Sequence, residues 1–383
     1  MTKLPDGWKE VALGDVVDYE QPTDYIVNSD EYNDEYKTPV LTAGKSFILG
    51  YTNETEGVYN KLPVIIFDDF TTASKFVTFS FKVKSSAMKL LTPKTKDIDL
   101  KFVFWLMQTI NVDSTTHKRY YLSNYQHIKI PLPPLPTQQK IVSILEKAEK
   151  AKEWRKEADE LTKDFLKSVF MEMFGDPITN NKKFTKEKIS RGAKFQGGFA
   201  FKSKDYRDAG IKLVKITNVH YGFVNWDDIT YVPEGYNVKY PEFLLKPGDI
   251  VMAMTRPIIK SLSTVKIIAI IENDLPALLN QRVGRFVINS KELNPTYLKH
   301  FCLTEFFLKE VDKFCSTSLQ PNVSSKQIEN IEILFPPIEL QQKFAAIVER
   351  VEQIKEHQKQ SKGRIDDLFN ALMQKAFKGE LAV

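Results

Sequence analysis

Cysteine and histidine are scarce in this sequence, and long apolar runs are missing. Two cysteines, Cys302 and Cys315, are too few for a disulfide framework or a metal cluster, and five histidines without paired spacing predict no zinc site. The aliphatic runs at 64–67 and 267–271 are far shorter than the roughly 20 residues of a transmembrane helix. The beginning also lacks the apolar core of a signal peptide. We therefore expect no bound metal, no membrane segment and a cytoplasmic location, with Cys302 used for packing.

The chain contains one sequence passage that occurs twice. Residues 128–150 read IKIPLPPLPTQQKIVSILEKAEK, and residues 331–353 read IEILFPPIELQQKFAAIVERVEQ. The copies align without a gap at an offset of 203 residues, which is far longer than the roughly 20–50 residues of a solenoid repeat. With 383 residues the chain has room for two or three domains. The sequence therefore predicts a duplication in which each copy has a globular domain and a connector.

A long segment almost free of helix breakers follows each proline pair. We predict helices from Thr137 to Phe174 and from Glu339 to Phe377, with Gly363 inside the second. Apolar residues at a seven-residue spacing with charged flanks are typical of a coiled-coil seam. The predicted seam residues are Ile144, Ala151, Trp154, Ala158, Leu161 and Phe165 in the first helix and Ile347, Val351, Ile354, Ile365, Leu368 and Leu372 in the second. Antiparallel packing of the two helices is favoured over packing on separate domains or self-association.

The remaining regions, 1–130 and 181–336, have the patterns of globular domains. Short β-branched and aromatic runs alternate in them with Gly, Asn and Pro turns, which predicts strands. Each region also contains a short predicted helix, near 98–109 and 295–311. We therefore predict two α+β domains rich in antiparallel strands.

Charge is unevenly divided along the chain. Residues 37–130 hold thirteen basic and seven acidic residues, and residues 181–336 hold twenty-three and sixteen. Residues 1–36, in contrast, hold two basic and ten acidic residues, and the two helical segments are nearly neutral. Basic residues are therefore concentrated in two separate regions of the chain.

Motifs that suggest catalysis fail on inspection. AGKS (43–46) ends like a phosphate-binding loop, but the required first glycine is replaced by Pro39. FQGGF (195–199) lacks the spaced glycines of a dinucleotide site and favours a turn. Asp68 and Asp69 are adjacent in a predicted strand, so they point to opposite faces and are expected to be salt-bridged or solvent-facing. We find no Ser–His–Asp or nuclease pattern, which indicates a binding or positioning protein.

Several stretches together carry a family resemblance. The repeated passages, with GKSFILGYT (44–52), KVKSSAMKLL (82–91), KPGDIVMAMTR (246–256) and LMQKAFKGEL (372–381), resemble the specificity (S) subunits of type I restriction-modification systems over essentially the full chain. The resemblance implies two target-recognition domains joined by two antiparallel coiled-coil helices, with a pseudo-twofold internal repeat. The expected boundaries are 1–130 and 177–336 for the recognition domains, and 131–176 and 337–383 for the helical regions.

The resemblance also implies that DNA recognition and catalysis reside in different subunits. Such a chain binds double-stranded DNA at a bipartite site and has no catalysis or cofactor of its own. Two modification (M) subunits bind S-adenosylmethionine and methylate adenines, and restriction (R) subunits translocate DNA with ATP and cut it, using Mg. A helix of about 38 residues is roughly 57 Å long, which predicts a fixed spacing between the two recognised half-sites.

Candidate DNA-binding residues are polar or basic and fall in predicted loops. Arg suits guanine, Asn and Gln suit adenine, and Lys suits phosphate. The candidates in the first domain are Lys45, Ser46, Thr72, Ser74, Lys75, Arg119 and Tyr120. The candidates in the second domain are Lys202, Lys204, Asn218, Arg256, Lys260, Ser318, Gln320 and Asn322.

Two other functions remain open at this point. The proline segment 131–136 contains overlapping P-x-x-P motifs, which are typical of ligands for aromatic grooves and would suit a protein-binding scaffold. The second copy of the repeat keeps only the proline pair, which disfavours that function. The chain would equally suit a related system in which modification and cleavage reside in one fused partner.

Overall fold

The fold is known from a computed structural model that describes residues 4–42, 46–110, 120–221, 223–315 and 321–381. The chain divides into two units. Unit 1 comprises residues 1–157 and 358–383, and unit 2 comprises residues 158–357. Each long helix therefore contributes residues to both units.

Unit 1 is built mainly from short strands. Its described elements are β1 (Lys9–Ala12), α1 (Leu13–Val16), β2 (Val17–Glu20), β3 (Thr38–Leu41), β4 (Ile48–Thr52), β5 (Val64–Asp68), β6 (Ser74–Val77), β7 (Lys82–Val83), β8 (Met88–Pro93), α2 (Leu100–Met107), β9 (Lys129–Leu132) and the first part of α3 (Leu135–Phe174). A four-stranded antiparallel sheet has the order β2-β8-β5-β6, and a three-stranded sheet has the order β4-β3-β7. Strands β1 and β9 form a separate antiparallel pair.

Unit 2 repeats this plan. Its described elements are β10 (Thr185–Lys188), β11 (Ala193–Gly197), β12 (Ile211–Val214), β13 (Tyr231–Val232), α4 (Tyr236–Lys239), β14 (Ile250–Ala253), β15 (Ile258–Ile259), β16 (Thr264–Val265), β17 (Ile267–Ala269), β18 (Ala277–Leu279), β19 (Val283–Ile288), α5 (Pro295–Phe301), α6 (Glu305–Asp312), α7 (Ser325–Glu329), β20 (Glu332–Phe335) and the first part of α8 (Ile338–Lys378). The corresponding sheets have the orders β11-β19-β14-β17 and β13-β12-β18, and β10 pairs with β20.

The two units share an unusual pairing pattern as well as strand order. In each three-stranded sheet the middle strand has one antiparallel neighbour and one parallel neighbour, β7 in unit 1 and β18 in unit 2. The predicted α+β class and the internal duplication are confirmed. One local prediction needs correction: the helix expected near 295–311 is two helices, because Thr304 caps a new helix, α6, by accepting a hydrogen bond from Phe307 N–H.

The long helices confirm the prediction made from the proline pairs. The first spans Leu135–Phe174, with Pro136 in its first turn, where a missing N–H donor has no cost. It stops where Gly175 adopts a φ of +74°, a left-handed conformation that glycine adopts without strain. The second spans Ile338–Lys378 and continues through Gly363. No helix in the described ranges is both long and apolar enough to cross a bilayer.

In unit 1 the first turns of α3 pack beside the last turns of α8. Ile141 and Leu145 share a hydrophobic core with Met373 and Ala376. Lys152 forms an ion pair of 3.0 Å with Asp366 one to two turns further along. Contact between the start of one helix and the end of the other makes the pair antiparallel in this unit.

Unit 2 contains the reciprocal arrangement. Phe170 and Phe174, in the last turns of α3, lie 5.5 and 5.3 Å from the ring of Phe344 in the first turns of α8. Phe174 also packs on Tyr297 of α5, with ring centroids 4.7 Å apart. The helices are therefore antiparallel in this unit too, and both complete the core of the globular domain.

The predicted coiled-coil seam needs partial correction. Val351 is buried, and Ile144, Ala151, Ala158, Ile347, Ile365 and Leu372 are half-buried. The other five are exposed: Trp154 at 60%, Leu161 at 63%, Phe165 at 51%, Ile354 at 49% and Leu368 at 57%. For these five the seam assignment was wrong. A line through every seventh residue drifts by about 20° per heptad around a straight helix. This drift carries Phe165 and Leu368, each three heptads from the start of its line, away from the buried face.

Candidate nucleic-acid interface

In unit 1 a sharp turn follows strand β5. The Asp68 carboxylate accepts hydrogen bonds from the N–H groups of Phe70 and Thr71, at 2.8 and 3.1 Å, and Thr72 adopts a φ of +59°. Asx turns of this kind replace backbone pairing with a side-chain acceptor. Asp68 therefore shapes the turn that carries Thr72 and leads into strand β6, where the candidates Ser74 and Lys75 lie.

A buried ion pair ties this turn to a second loop. Asp69 lies 3.3 Å from Lys89, and the two side chains are 2% and 1% exposed. The other Asp69 carboxylate oxygen accepts a hydrogen bond from Tyr121 N–H at 2.9 Å, while its carbonyl accepts one from Tyr120 N–H at 2.9 Å. Asp69 is thus salt-bridged, as predicted. The prediction was wrong for Asp68, which is 8% exposed and accepts hydrogen bonds from the backbone of the turn instead.

The candidates of unit 1 differ in exposure. Ser46 and Lys75 are exposed, and Thr72 and Ser74 are half-buried. The Lys75 amine lies 6.0 Å from the ring of Phe47, so the segment after Ser46 and the turn after β5 meet. Tyr120 is only 4% exposed. Lys45 and Arg119, like most of the AGKS motif, lie outside the described residues.

The positive charge of unit 1 is largely compensated within the protein. Residues 1–130 hold fifteen basic and seventeen acidic residues in total. Residues of the acidic beginning pair with lysines from the basic stretch: Glu20 with Lys61, Asp30 with Lys84, and Asp18 with Lys94. The basic stretch 37–130 is therefore partly neutralised by the acidic residues that precede it. Lys75 forms no ion pair among the described residues, which leaves its charge available at the loop.

Unit 2 joins the equivalent pair of loops by different bonds. After β14, Met254 accepts a hydrogen bond through its carbonyl from Val323 N–H at 2.8 Å, and Arg256 N–H donates to the Pro321 carbonyl at 2.9 Å. The Thr255 hydroxyl is hydrogen-bonded to the Asn322 side chain. The turn after the central strand therefore meets the same returning segment in both units, through Asp69 in unit 1 and Thr255 in unit 2.

Most described candidates of unit 2 are exposed. This holds for Lys202, Lys204, Arg256, Lys260 and Asn322. Ser318 and Gln320 lie outside the described residues.

Asn218 is the exception among these candidates, because it is only 1% exposed. Its side-chain oxygen accepts from Lys215 N–H at 2.9 Å, and its amide donates to the carbonyls of Asn225 and Asp228 at 2.8 and 3.2 Å. All of its polar atoms are therefore used to fold a turn. For this residue a DNA-reading role conflicts with the structure.

The loops of unit 2 surround a cleft of about 330 Å³. It is lined by Gly197, Gly198, Met254, Thr255, Gln281, Arg282, Asn322 and Val323. The close approach of the Asn280 backbone explains why residue 198 is glycine, since a Cβ on Gly198 would lie 2.1 Å from the Asn280 carbonyl oxygen. The predicted turn at 195–199 is instead mostly strand, with the glycine pair at its end.

Sequence reasoning missed the Gln281–Arg282 side of the cleft. Both residues are exposed and follow strand β18. The Arg282 backbone has a φ of +66°, a conformation rare for residues other than glycine. No sequence motif marks such a turn.

Groups of three or more His, Cys, Asp or Glu side chains placed to hold a metal do not occur in the part of the chain that the structure describes. Cys302 is fully buried in the core of unit 2, which confirms its packing role, and burial raises the pKa of its thiol. The candidate interface is thus made of loops with basic, amide and hydroxyl groups.

Comparison with known proteins identifies the family. Residues 5–163 and 177–376 match the model for the type I restriction modification DNA specificity domain. The MjaVIII type I restriction enzyme specificity subunit of Methanocaldococcus jannaschii is 28% identical over 404 residues, covering all of this chain and 94% of that protein. A type I restriction enzyme specificity subunit of Escherichia coli is 49% identical over 163 residues, which cover 38% of this chain and 40% of the relative.

Solved structures show the same fold. The S subunit of a type I restriction-modification system from M. genitalium superposes with a TM-score of 0.60 at 14% identity, covering 98% of each chain. A chain from a study of the assembly and conformational transition of the type I system also has a TM-score of 0.60, at 17% identity and full coverage of both chains. At these identities the likeness concerns the fold alone.

Proposed function

This chain belongs to the type I restriction-modification DNA specificity family, and we propose that each of its two units reads one half of a bipartite DNA site. It is a non-catalytic specificity subunit, and its partners are DNA and the modification and restriction subunits of such a system. The observation that carries the proposal is the repeated meeting of two polar loops, at Asp69 in unit 1 and at Thr255 in unit 2.

DNA contact is assigned to the candidate side chains that are exposed or half-buried. In unit 1 we propose Ser46, Thr72, Ser74 and Lys75. In unit 2 we propose Lys202, Lys204, Arg256, Lys260 and Asn322. Lysines suit phosphates, which fix the position of the protein on DNA, whereas arginine and amide groups suit base edges. The candidates outside the described residues, Lys45, Arg119, Ser318 and Gln320, stay in the proposal on sequence grounds. Asn218 is left out.

Modification and cleavage are assigned to partner subunits. We propose that two M subunits bind S-adenosylmethionine and methylate adenine, that R subunits use ATP and Mg, and that this chain binds none of these cofactors. The complex would act in the cytoplasm, where the DNA of a cell without a nucleus lies. A fused modification and cleavage partner is not favoured by the relatives, which are specificity subunits of type I enzymes.

We propose that the modification subunits dock on the exposed apolar side chains of the long helices. Trp154 and Leu368 are 60% and 57% exposed in unit 1, and Leu161 and Phe165 are 63% and 51% exposed in unit 2. Large exposed apolar groups on a helix suit contact with another helix. The alternative of a proline-rich scaffold is disfavoured, because Pro133 is buried and its carbonyl accepts a hydrogen bond from Gln138.

The decisive experiment is methylation sequencing of DNA from cells that express this chain with the methyltransferase subunit encoded beside it. A split motif with a methylated adenine in each half, absent when the methyltransferase is expressed alone, supports the proposal. Unchanged methylation with a demonstrably active methyltransferase contradicts it.

Exchange of one domain tests the division of the site. Replacing residues 1–130 with the first domain of another specificity subunit is expected to change one half of the methylated motif and leave the other half intact. If both halves change, the model of two independent reading units is wrong.

A further inference from the structure

The five arginines between residues 181 and 336, in the globular part of unit 2, fall into two groups. Three are bound within the protein: Arg191 pairs with Glu292 at 2.9 Å, Arg207 donates to the Tyr206 carbonyl at 2.8 Å, and Arg285 pairs with Asp249 at 2.9 Å. Arg256 and Arg282 are exposed, and neither guanidinium has a hydrogen bond or ion pair to any residue that the structure describes. A guanidinium offers five donors in a fixed plane, so these two side chains are available to an external acceptor.

Both of these arginines have a left-handed backbone. The φ angles are +47° for Arg256 and +66° for Arg282. For an L-residue other than glycine this conformation costs about 1–2 kcal/mol, so it persists where neighbouring bonds impose it. Those bonds are present: the Arg282 carbonyl accepts from Met254 N–H at 2.7 Å, and Arg256 N–H donates to Pro321 at 2.9 Å. The Arg282 turn is therefore bonded to the segment that carries Arg256, and that segment is bonded in turn to Pro321.

The cleft beside Arg282 is lined by backbone as well as by side chains. Gly197 and Gly198 carry no side chain, and the atoms nearest to a Cβ on Gly197 would be 3.7 Å away. Gln281 and Arg282 also line the cleft. None of the lining residues is acidic, so no carboxylate there competes for the guanidinium.

We propose that Arg282 reads a guanine in the half-site of unit 2, with the major-groove edge of the base in this cleft. Arginine meets the O6 and N7 atoms of guanine with two parallel hydrogen bonds, which is the commonest specific contact between proteins and DNA. The locked backbone fixes the direction of the Cα–Cβ bond from which the guanidinium reaches the base. This inference rests on the proposed function and adds the recognised base.

The test compares three variants of the full chain, each expressed with the methyltransferase subunit. Arg282→Gly removes the side chain and suits the left-handed backbone, so the melting temperature should not fall. Arg282→Lys keeps the charge and removes the planar fork. Lys194→Ala is the matched control, because Lys194 is an exposed cation on β11 that does not line the cleft. The readout is the methylated motif, with sites ranked by methylation frequency.

For Arg282→Gly, and equally for Arg282→Lys, we expect one G·C position in one half of the motif to relax. Discrimination at that position should fall about tenfold to a hundredfold, while the other half stays unchanged. The control should give the wild-type motif.

Three results overturn the inference and leave the proposed function standing. In the first, the split motif contains no position that relaxes when Arg282 is substituted. In the second, both Arg282 variants give the wild-type motif unchanged. In the third, Arg282→Gly weakens methylation uniformly and Arg282→Lys restores it, which indicates a phosphate contact. If the wild-type chain itself directs methylation to no split motif, the proposed function is contradicted.

Discussion

The side-chain carbonyl of Gln341 accepts a hydrogen bond of 2.8 Å from the backbone N–H of Asn294. Asn294 in turn caps α5, accepting hydrogen bonds from the N–H groups of Thr296 and Tyr297. The amide group of Gln341 also donates to the carbonyls of Glu292 and Pro336, at 2.9 and 2.8 Å. One fully buried side chain therefore joins the start of α8 to the start of α5.

Gln138 makes the same three contacts in unit 1. Its carbonyl accepts from Asp99 N–H at 2.8 Å, and its amide donates to the carbonyls of Asp97 and Pro133 at 3.1 and 2.9 Å. Asp99 caps α2 as Asn294 caps α5. The repetition of the proline pair and the first glutamine thus has a structural reason, because those residues fasten each long helix to its globular domain.

Gln341→Ala is expected to destabilise unit 2 by about 2 to 4 kcal/mol, because it leaves buried backbone groups without partners. Gln342→Ala is the control, since Gln342 is exposed and adjacent in sequence. Its free energy of unfolding should stay within about 0.5 kcal/mol of the wild type. Urea denaturation measures both values, and equal effects of the two variants would refute this role for Gln341.

Two phenylalanines five residues apart on α3 are expected to behave differently. Phe170→Ala removes a ring buried against Phe344 and Tyr297 and should lower the free energy of unfolding by about 3–5 kcal/mol. Phe165→Ala removes a half-exposed ring and should change stability little. If the proposed docking surface is correct, Phe165→Ala instead weakens binding of the methyltransferase subunit in a pull-down or by calorimetry. Wild-type affinity for this variant would exclude Phe165 from that surface.

The buried pair of Asp69 and Lys89 predicts a thermodynamic cycle. Asp69→Asn keeps a hydrogen-bond acceptor for Tyr121 but leaves the Lys89 charge buried without compensation, which is expected to cost about 3–5 kcal/mol. Adding Lys89→Met should restore most of that loss. The free energies of unfolding of the two single variants and the double variant measure the coupling. Additive single effects would show that the charges do not depend on each other.

His300 predicts a pH dependence of stability. Burial, followed by the charges of Lys299 and Lys355, lowers its pKa from 6.5 to about 3. The ring packs 5.1 Å from Phe344, and its Nε2 atom has no hydrogen-bond partner among the described residues. Below pH 6.5 the unfolded chain binds a proton that the folded chain does not, so stability attributable to His300 is complete above that pH and decreases as the pH falls toward 3.

The measurement compares wild type with His300→Phe by denaturation between pH 7.5 and 4. The wild type should lose up to about 1.4 kcal/mol more per pH unit below pH 6 than the variant. Parallel curves for the two proteins would mean that His300 takes up its proton equally in both states. Glu352 and Lys355 face the same region and remain in both proteins, so their contributions cancel.

Local patterns in the sequence were sufficient for the secondary structure that frames both units. The proline pairs and the absence of breakers predicted α3 and α8 to within two residues at each end. The run VIIF predicted the buried strand β5. Such features depend on neighbours within a few turns of helix or along one strand, so a single sequence contains them.

Placement of side chains in the site depended on residues far apart in the chain. The sequence suggested free lysines in the first domain, but Lys61 and Lys84 pair with Glu20 and Asp30, more than forty residues away. Asn218 has the right chemistry for reading adenine and is nevertheless buried in a turn. Arg282 carries no sequence motif and becomes a candidate through its backbone angle and its cleft.

The sequence by itself therefore determined the duplication, the two long helices, the α+β character of the domains and the resemblance to specificity subunits. Only the tertiary structure decided which face of each helix is buried, which charges are compensated and which loops meet. The physical reason is the range of the interactions. Helix and strand formation follow short-range periodicity, whereas burial and ion pairing need contacts such as Thr255 with Asn322, which form when distant segments pack together.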